Sequence, residues 1–461
     1  MAKNKSPMPC FYSDRQLALS VLKEKRVLVL GLGRAGRAVS GFLTKSGAVV
    51  YAHDDNEQVW NEPAIKKLSK AGLKRWRQQK VDLVVVSPGV LEVHPVVQFF
   101  YKHNVPIVDE LDFASCFLPG TVIAVTGTNG KSTTTALIAT MIKSDKKQVF
   151  LGGNIAPGKP LSTALSMRPK EFYCVEVSSF QLERAKYLAP RVAVVLNVSP
   201  DHLDRHQTLK SYIEAKARIF ARQRENDWAI LNYDDPRVRS MIKHCWATKL
   251  FFSSVNQVNG TFLSGDWIYF NNEPVAPVKE IRIPGKHNVE NALAAVCVAR
   301  ILGVSSKAIR LALRTFRGLE HRLEPVKRVN GVLYVNNSMC TNPQAGVRSI
   351  EAFKKKVVLI AGGKEKGTKA DDYLKAISRH AKWVVLLGEN SAVLALKLAR
   401  LGFKRFEFAR TMHDAVRLAS ARAANGDIVL FSPGFASFDM FRNFQERGKA
   451  FKNEVGKLGK A

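Results

Sequence analysis

Between Val122 and Leu137 a short apolar run gives way to Thr126-Gly127-Thr128-Asn129-Gly130-Lys131-Ser132-Thr133-Thr134 and then to a helix-forming stretch. A buried strand that turns through two glycines into a helix presents backbone N–H groups at the helix N-terminus, a cradle on which a polyphosphate docks. Lys131 adds positive charge at the β- and γ-phosphates, and the Ser132 or Thr133 hydroxyl faces a magnesium ion. The position five residues before Gly130 is Val125, so the segment departs from the full phosphate-loop signature. It still predicts a nucleoside triphosphate site on a strand–loop–helix unit.

The rest of the chain repeats that alternation. Apolar runs at Arg26–Leu30, Val49–Ala52, Val81–Val86, Tyr173–Val177, Val192–Leu196, Val357–Ala361, Trp383–Leu387 and Ile428–Phe431 are separated by helix-like stretches such as Arg34–Ser46. Continuous apolar strands between helices argue for parallel sheets covered on both faces. At roughly 150 residues per domain, 461 residues suggest about three domains. The expected divisions are 1–113, 114–317 and 318–461, with a hinge near Arg317 and Gly318.

Directly after the first strand stands Gly31-Leu32-Gly33-Arg34-Ala35-Gly36, with Asp54 and Asp55 about twenty residues on. This is the fingerprint of a Rossmann-like nucleotide fold, with glycines for a tight turn and an acid for the ribose. A NAD-dependent oxidoreductase is therefore one reading. The stronger second phosphate loop argues against it, since a simple dehydrogenase has no use for a triphosphate. Ser87-Pro88-Gly89, another glycine turn at a strand end, can supply further N–H groups to a pyrophosphate. The first segment thus reads as a binder of a diphosphate-containing nucleotide.

Composition narrows the partners. No apolar run approaches the ~20 residues of a membrane span and no signal-peptide pattern opens the chain, so a cytoplasmic protein is expected. Six scattered cysteines without CxxC spacing imply neither zinc nor a disulfide framework and read as reduced thiols. The formal charge of +32 is spread over the whole chain, and its densest stretches, Lys66 to Arg77 and Lys354 to Lys356, lack interleaved aromatic platforms. These read as solvated helix faces, and nucleic acid is not expected as a partner.

A metal-like constellation follows the phosphate loop. Glu176 lies inside an apolar strand, where a charge is costly unless it is paired or bound to a cation. His202 stands in Asn197-Val198-Ser199-Pro200-Asp201-His202-Leu203-Asp204 after the next strand. Strand ends beside a phosphate loop are where a doubly wound sheet gathers its chemistry, so Glu176 and His202 are candidate magnesium ligands.

Taken together, Gly127 to Thr133, Gly152-Gly153-Asn154-Ile155, Glu176 to Leu182, Asn197 to Asp204, Gly285-Lys286-His287-Asn288 with Asn291, and Gly318 to Arg322 resemble the Mur ligases. The strings Ser178 to Leu182 and Ser432-Pro433 to Asp439, with Phe444, resemble the glutamate-adding branch of that family. The resemblance runs from about Val27 to Phe451. It implies a Rossmann-like first domain for a UDP-linked amino sugar, a phosphate-loop middle domain for ATP and two Mg2+ ions, and a Rossmann-like last domain for the incoming amino acid. The implied reaction is ATP-dependent addition of an acidic amino acid, D-glutamate foremost, to UDP-N-acetylmuramoyl-L-alanine in peptidoglycan precursor synthesis. Another amino acid or acceptor is the alternative.

The resemblance also implies residue roles. Gly127, Thr128, Asn129, Gly130, Lys131, Ser132 and Thr133, with Asn288, Asn291, Arg322 and Asn337, would line the ATP site. Lys131, His202, Lys216 and Arg322 would carry catalysis, and Ser132, Glu176, His202 and a carbamylated Lys216 would hold the metals. Gly33, Asp54, Asp55, Ser87, Gly89, Asn154 and Ser178 would meet the sugar nucleotide, and Thr341, Lys366, Ser437 and Phe444 the amino acid. A monomer fits this plan. In the last domain the family carries Asn-Asp-Ser-Lys-Ala-Thr-Asn, whereas this chain reads Asn336-Asn337-Ser338-Met339-Cys340-Thr341-Asn342. Two charges of the pattern, at Asn337 and Met339, are therefore missing.

Overall fold

The computed structural model describes residues 19–56, 66–67, 80–155, 158–201, 203–283, 285–353, 355–365 and 370–459. The first sheet joins β1 (Arg26–Leu30), β2 (Val49–His53), β3 (Lys66–Lys67), β4 (Leu83–Val86) and β5 (Ile107–Asp109), all parallel, in the order β3-β2-β1-β4-β5. The order reverses between β1 and β4, which opens a crevice at their carboxyl ends.

The second sheet has nine strands: β6 (Thr121–Thr126), β7 (Val149–Gly153), β8 (Phe172–Glu176), β9 (Val192–Val195), β10 (Trp228–Asn232), β11 (Thr248–Ser253), β12 (Gly260–Ser264), β13 (Trp267–Phe270) and β14 (Glu273–Pro277). Their order is β14-β13-β12-β11-β10-β9-β6-β8-β7. The third sheet, β15 (Glu324–Val329), β16 (Val332–Asn336), β17 (Val357–Ala361), β18 (Ala381–Leu387), β19 (Phe406–Ala409) and β20 (Ile428–Phe431), runs β15-β16-β20-β17-β18-β19.

The expectation of purely parallel sheets fails at two edges. β12, β13 and β14 form an antiparallel meander, and β15 pairs antiparallel with β16. Two-residue turns explain both: Gly265-Asp266 and Asn271-Asn272 link the meander, and Asn330-Gly331 links β15 to β16 with both residues at positive φ, 49° and 77°. Such turns match the twist of a hairpin, and a two-residue connection cannot return a parallel strand. The terminal strands β14 and β15 carry Pro274, Pro277 and Pro325, residues a sheet tolerates only at its edge.

The chain divides into two compact units, Met1–Phe316 and Arg317–Ala461. Within the first, the two sheets share one core. Val29, Phe42 and Phe113 belong to the same buried cluster as Ala124, Tyr173 and Val195. Buried carboxylates pin the connection: Glu110 accepts the Ser162 N–H at 2.6 Å, and Asp112 accepts those of Lys186 and Leu188 at 2.5 and 2.9 Å. The alanine-rich helix Lys286–Ile301 is buried from Asn291 to Ala299 and packs on the helix Lys131–Ser144 and over β10 to β12. Its small side chains permit that close approach. In the second unit, apolar clusters lie on each face of the third sheet, one with Leu359 and Leu386, the other with Ile360 and Val385.

The expectation of reduced thiols holds for Cys174, Cys245, Cys297 and Cys340, which are free and buried. It fails at Cys116, which is disulfide-bonded. Among the described residues no helix is long and apolar enough to cross a membrane.

Candidate active site

β6 ends at Thr126, and the chain passes through Gly127 (φ 153°) and Gly130 (φ 81°) into the helix Lys131–Ser144. Gly130 is the helix N-cap, so the first-turn N–H groups open onto the loop. A Cβ at Gly130 would lie 2.2 Å from Asn291 Oδ1, and one at Gly127 would lie 3.0 Å from Leu196 Cβ. The positive φ at Gly130 favours glycine, and any side chain there would have to push the Asn291 amide aside.

Neighbouring strands hold the loop in shape. The Asn197 side chain accepts the Asn129 N–H at 2.8 Å and donates to the Asn129 carbonyl at 3.2 Å. Thr128 Oγ1 accepts the Ser199 N–H at 3.0 Å. From the helix Lys286–Ile301, Asn291 Oδ1 accepts the Thr134 hydroxyl at 3.2 Å while its amide donates to Asn288 Oδ1 at 3.1 Å. Asn291, which the resemblance put beside the nucleotide, thus ties the first turns of the helix after the loop to a second helix, with Asn288 bonded behind it. Asn197, quoted in the motif but given no role, is the loop's main brace.

Three further groups gather at these strand ends. Glu176 closes β8 in register with Val125 of β6 and Gly153 of β7. It is buried; Oε1 accepts from Asn154 Nδ2 at 3.0 Å, whereas Oε2 has no hydrogen-bond partner among the described residues. A buried, half-satisfied carboxylate suits a cation. Lys216, on the helix Leu209–Ala217, is 1% exposed and donates to the Gly127 carbonyl at 2.9 Å with Nζ 4.4 Å from the Tyr212 ring centroid. Burial, then the charge of Lys131, lowers its pKa to about 7. Lys131 Nζ donates to the carbonyls of Gly127 and Thr128, each at 2.9 Å. Ser132 is buried, and Thr133 follows it in the first helical turn. Ser178 caps the helix Ser179–Arg184 in a capping box with Gln181. His202 lies outside the described residues.

At the carboxyl ends of β1, β2 and β4 a cavity of about 670 Å³ is lined by Gly31, Gly33, Asp54, Asp55, Ser87 and Gly89, among others. Every residue expected to meet a sugar nucleotide in the first domain is thus brought together there. Gly36 has to be glycine, since a Cβ there would lie 1.8 Å from the Gly31 carbonyl oxygen. Ser87 Oγ donates to that same oxygen at 2.7 Å, and Asp54 accepts the N–H groups of Leu32 at 2.5 Å and Asn56 at 2.9 Å. Asp54 therefore shapes the glycine turn as well as facing the cavity.

In the second unit, Asn337 and Thr341 follow β16, and Ser437 and Phe444 follow β20. Asn337 is buried; its oxygen accepts the Leu323 N–H at 3.1 Å and its amide donates to Ser349 at 2.6 Å and Ser432 at 3.1 Å. Ser437 is buried, Thr341 half-buried, and Phe444 opens the helix Phe444–Lys457. Arg322 is exposed on the turn before β15. Lys366 lies outside the described residues. Arg447, which sequence reasoning passed over, is buried and donates to the Ser338 and Phe435 carbonyls at 2.8 and 3.0 Å. Burial lowers its pKa to about 10. No local pattern marks it: an arginine on an amphipathic helix reads as surface.

Comparison with known proteins agrees with this geometry. Three family models match in order: the Mur ligase MurD-like N-terminal domain over residues 25–109, the Mur ligase middle domain over 125–299, and the Mur ligase glutamate ligase domain over 321–435. The UDP-N-acetylmuramoylalanine--D-glutamate ligase of Pelotomaculum thermopropionicum is 42% identical over 450 residues, covering 95% of this chain and 98% of that protein. The enzyme of the same name from Thermoanaerobacter pseudethanolicus is 40% identical over 452 residues, covering 95% and 99%. Among solved structures, UDP-N-acetylmuramate-alanine ligase MurC of Thermotoga maritima shares the fold at a TM-score of 0.57, with 20% identity and 94% and 99% coverage. MurF ligase of the same organism, in complex with ADP, has a TM-score of 0.54 at 20% identity, covering 94% and 96%. With three domain matches in one order and relatives at this identity over nearly the full length, the chain belongs to the Mur ligase family.

Proposed function

We propose that this chain is an ATP-dependent amide ligase that adds D-glutamate to UDP-N-acetylmuramoyl-L-alanine, in the cytoplasm, as a step of peptidoglycan precursor synthesis. The observation that carries the reading is the phosphate loop with Lys131, Lys216 and the half-satisfied Glu176 at adjacent strand ends. Relatives named for that reaction support the choice of substrates. The oxidoreductase reading leaves the phosphate loop, Glu176 and Lys216 without a role.

In this reading the domains divide at 113/114 and 317/318, the protein acts as a monomer, and the cavity beside β1 and β4 takes the UDP moiety. Asn154 and Ser178 would meet the sugar, and Thr341, Lys366, Ser437 and Phe444 would receive the amino acid. The first-turn N–H groups and Lys131 bind the ATP phosphates, with Asn288, Asn291, Arg322 and Asn337 around the nucleotide. Ser132, Glu176, His202 and a carbamylated Lys216 are oxygen and nitrogen donors suited to Mg2+, which would neutralise phosphate charge when bound. The orphaned oxygen of Glu176 fits that role.

The substrate carboxylate oxygen attacks the γ-phosphorus, the bond to ADP breaks, and an acyl phosphate forms. The amine of the amino acid then attacks the acyl carbon, phosphate leaves with its bridging oxygen, and the amine gives up its proton. Such chemistry rests on positioning and charge neutralisation more than on a protein nucleophile. Lys131, held over the loop by two carbonyls, is preorganised to follow the migrating phosphoryl charge. Phosphate release from Mg-ATP with UDP-N-acetylmuramoyl-L-alanine, screened over L- and D-amino acids with Lys131→Ala as the blank, tests the proposal. Release with D-glutamate alone is expected. Release with another amino acid in its place, or none with any, would overturn it.

A further inference from the structure

Three metal-ligating side chains converge at the rim of the cavity in the first sheet, away from the phosphate loop. His53 ends β2, Asp55 follows two residues later, and His94 is the N-cap of the helix Pro95–Lys102. His53 Nε2 is 3.6 Å from Asp55 Oδ1, and His94 Nε2 is 3.3 Å from Asp55 Oδ2. One ligand atom from each lies within 4.8 Å of the others, and the two imidazole centroids are 6.1 Å apart. A four-coordinate metal with bonds of ~2.0–2.2 Å sets its ligand atoms roughly 3.3–3.5 Å apart. His94 Nε2 already stands at that edge from one Asp55 oxygen, His53 Nε2 lies just beyond it from the other at 3.6 Å, and small side-chain rotations would close the remaining gaps around one ion.

We propose that His53, Asp55 and His94 form a binding site for a divalent transition metal ion of the zinc class. The donor set selects the metal: two imidazoles and one carboxylate suit zinc, cobalt, nickel or copper, whereas magnesium prefers an octahedral shell of oxygens. This separates the site from any magnesium that accompanies ATP. His53 is buried and His94 largely so, which limits their rotamers and preorganises two of the three ligands. All three residues line the 670 Å³ cavity, so a fourth ligand, water or an anion, reaches the metal from the cavity. The proposal rests on this cluster alone and holds whichever nucleotide the cavity takes.

His94 makes the site chemically specific. Its Nδ1 accepts the Val96 N–H at 3.3 Å, a long cap that places the proton on Nε2 of the neutral ring. A metal on Nε2 moves that proton to Nδ1 and releases the cap. Asparagine at this position keeps a capping oxygen and removes the imidazole, so His94→Asn tests ligation while the helix start is preserved. Asp55, whose side chain is 61% exposed, provides an independent variant in Asp55→Asn that leaves the core untouched.

The test is a titration of the full chain with Co2+ in excess Mg2+, followed by the visible absorption of four-coordinate cobalt and by displacement with Zn2+. Wild type is expected to saturate at one equivalent, and His94→Asn and Asp55→Asn each to bind at least about tenfold more weakly. Absence of saturable binding in wild type, or wild-type affinity in either variant, would overturn the site.

Discussion

Lys131 and Lys216 aim their amines at one oxygen, the carbonyl of Gly127, each at 2.9 Å. One lysine comes from the helix that the phosphate loop caps, the other from a helix more than eighty residues later. Burial disfavours the charged form of the Lys216 amine, and the second ammonium group on the same acceptor adds repulsion, so its pKa is lowered to about 7.

A neutral amine attacks the carbon of CO2, loses a proton and becomes a carbamate, which converts a cation into an oxygen ligand. At fixed dissolved CO2, a carbamate signal from Lys216 in 13C NMR is therefore expected to grow as pH rises through about 7. Lys216→Arg, which has no amine to react, supplies the blank. An equal signal in wild type and blank would refute the assignment.

Gly130 offers a sharper test of the loop. With φ at 81° and Asn291 Oδ1 only 2.2 Å from the site of a Cβ, Gly130→Ala displaces either the turn or its brace. A stability loss of about 1–3 kcal/mol is expected, together with at least about tenfold weaker Mg-ATP binding by calorimetry. Wild-type affinity for ATP in this variant would remove the loop from the nucleotide site.

What was legible in the sequence was local. The apolar runs Arg26–Leu30, Val357–Ala361 and Ile428–Phe431 became strands at those same bounds, because burial on both faces leaves an unbroken apolar signature. The glycine turns after β1 and β6 were equally plain. The antiparallel edges went unread although Asn330-Gly331 announces a hairpin, since the alternation of helices and strands elsewhere dominated the reading. Long-range pairings left no trace in the sequence. Nothing near Asp112 says that its carboxylate will collect N–H groups from residues 186–188, and nothing near Asn337 says that its amide will be held by Ser349 and Ser432.

Asn337 turns that network into a prediction. Its amide donates to two hydroxyls, and Ser349 Oγ already donates to the Ala345 carbonyl at 2.6 Å. Aspartate would remove both donors and bury a charge, forcing Ser349 to abandon that carbonyl. Asn337→Asp is expected to lower stability by about 1–3 kcal/mol in denaturant unfolding. An unchanged midpoint would show that the hydroxyls reorient without cost.

The last prediction concerns Asp109, buried at the end of β5 with Arg184 Nη1 3.5 Å away. Burial outweighs the arginine and raises its carboxyl from 3.8 to about 7. Between those values the folded chain binds the proton and the unfolded chain does not, so this group makes the fold less stable as pH climbs through the window. Asparagine mimics the protonated form and carries no such slope. The melting temperature of Asp109→Asn relative to wild type is therefore expected to rise from about pH 4 to about pH 7 and to level off above it. A relative melting temperature that falls over that range would mean that the Arg184 pairing dominates and that Asp109 is charged throughout. Burial decides the sign because a single guanidinium at 3.5 Å, itself shared with Glu92 and the Val90 carbonyl, returns less than the lost hydration costs.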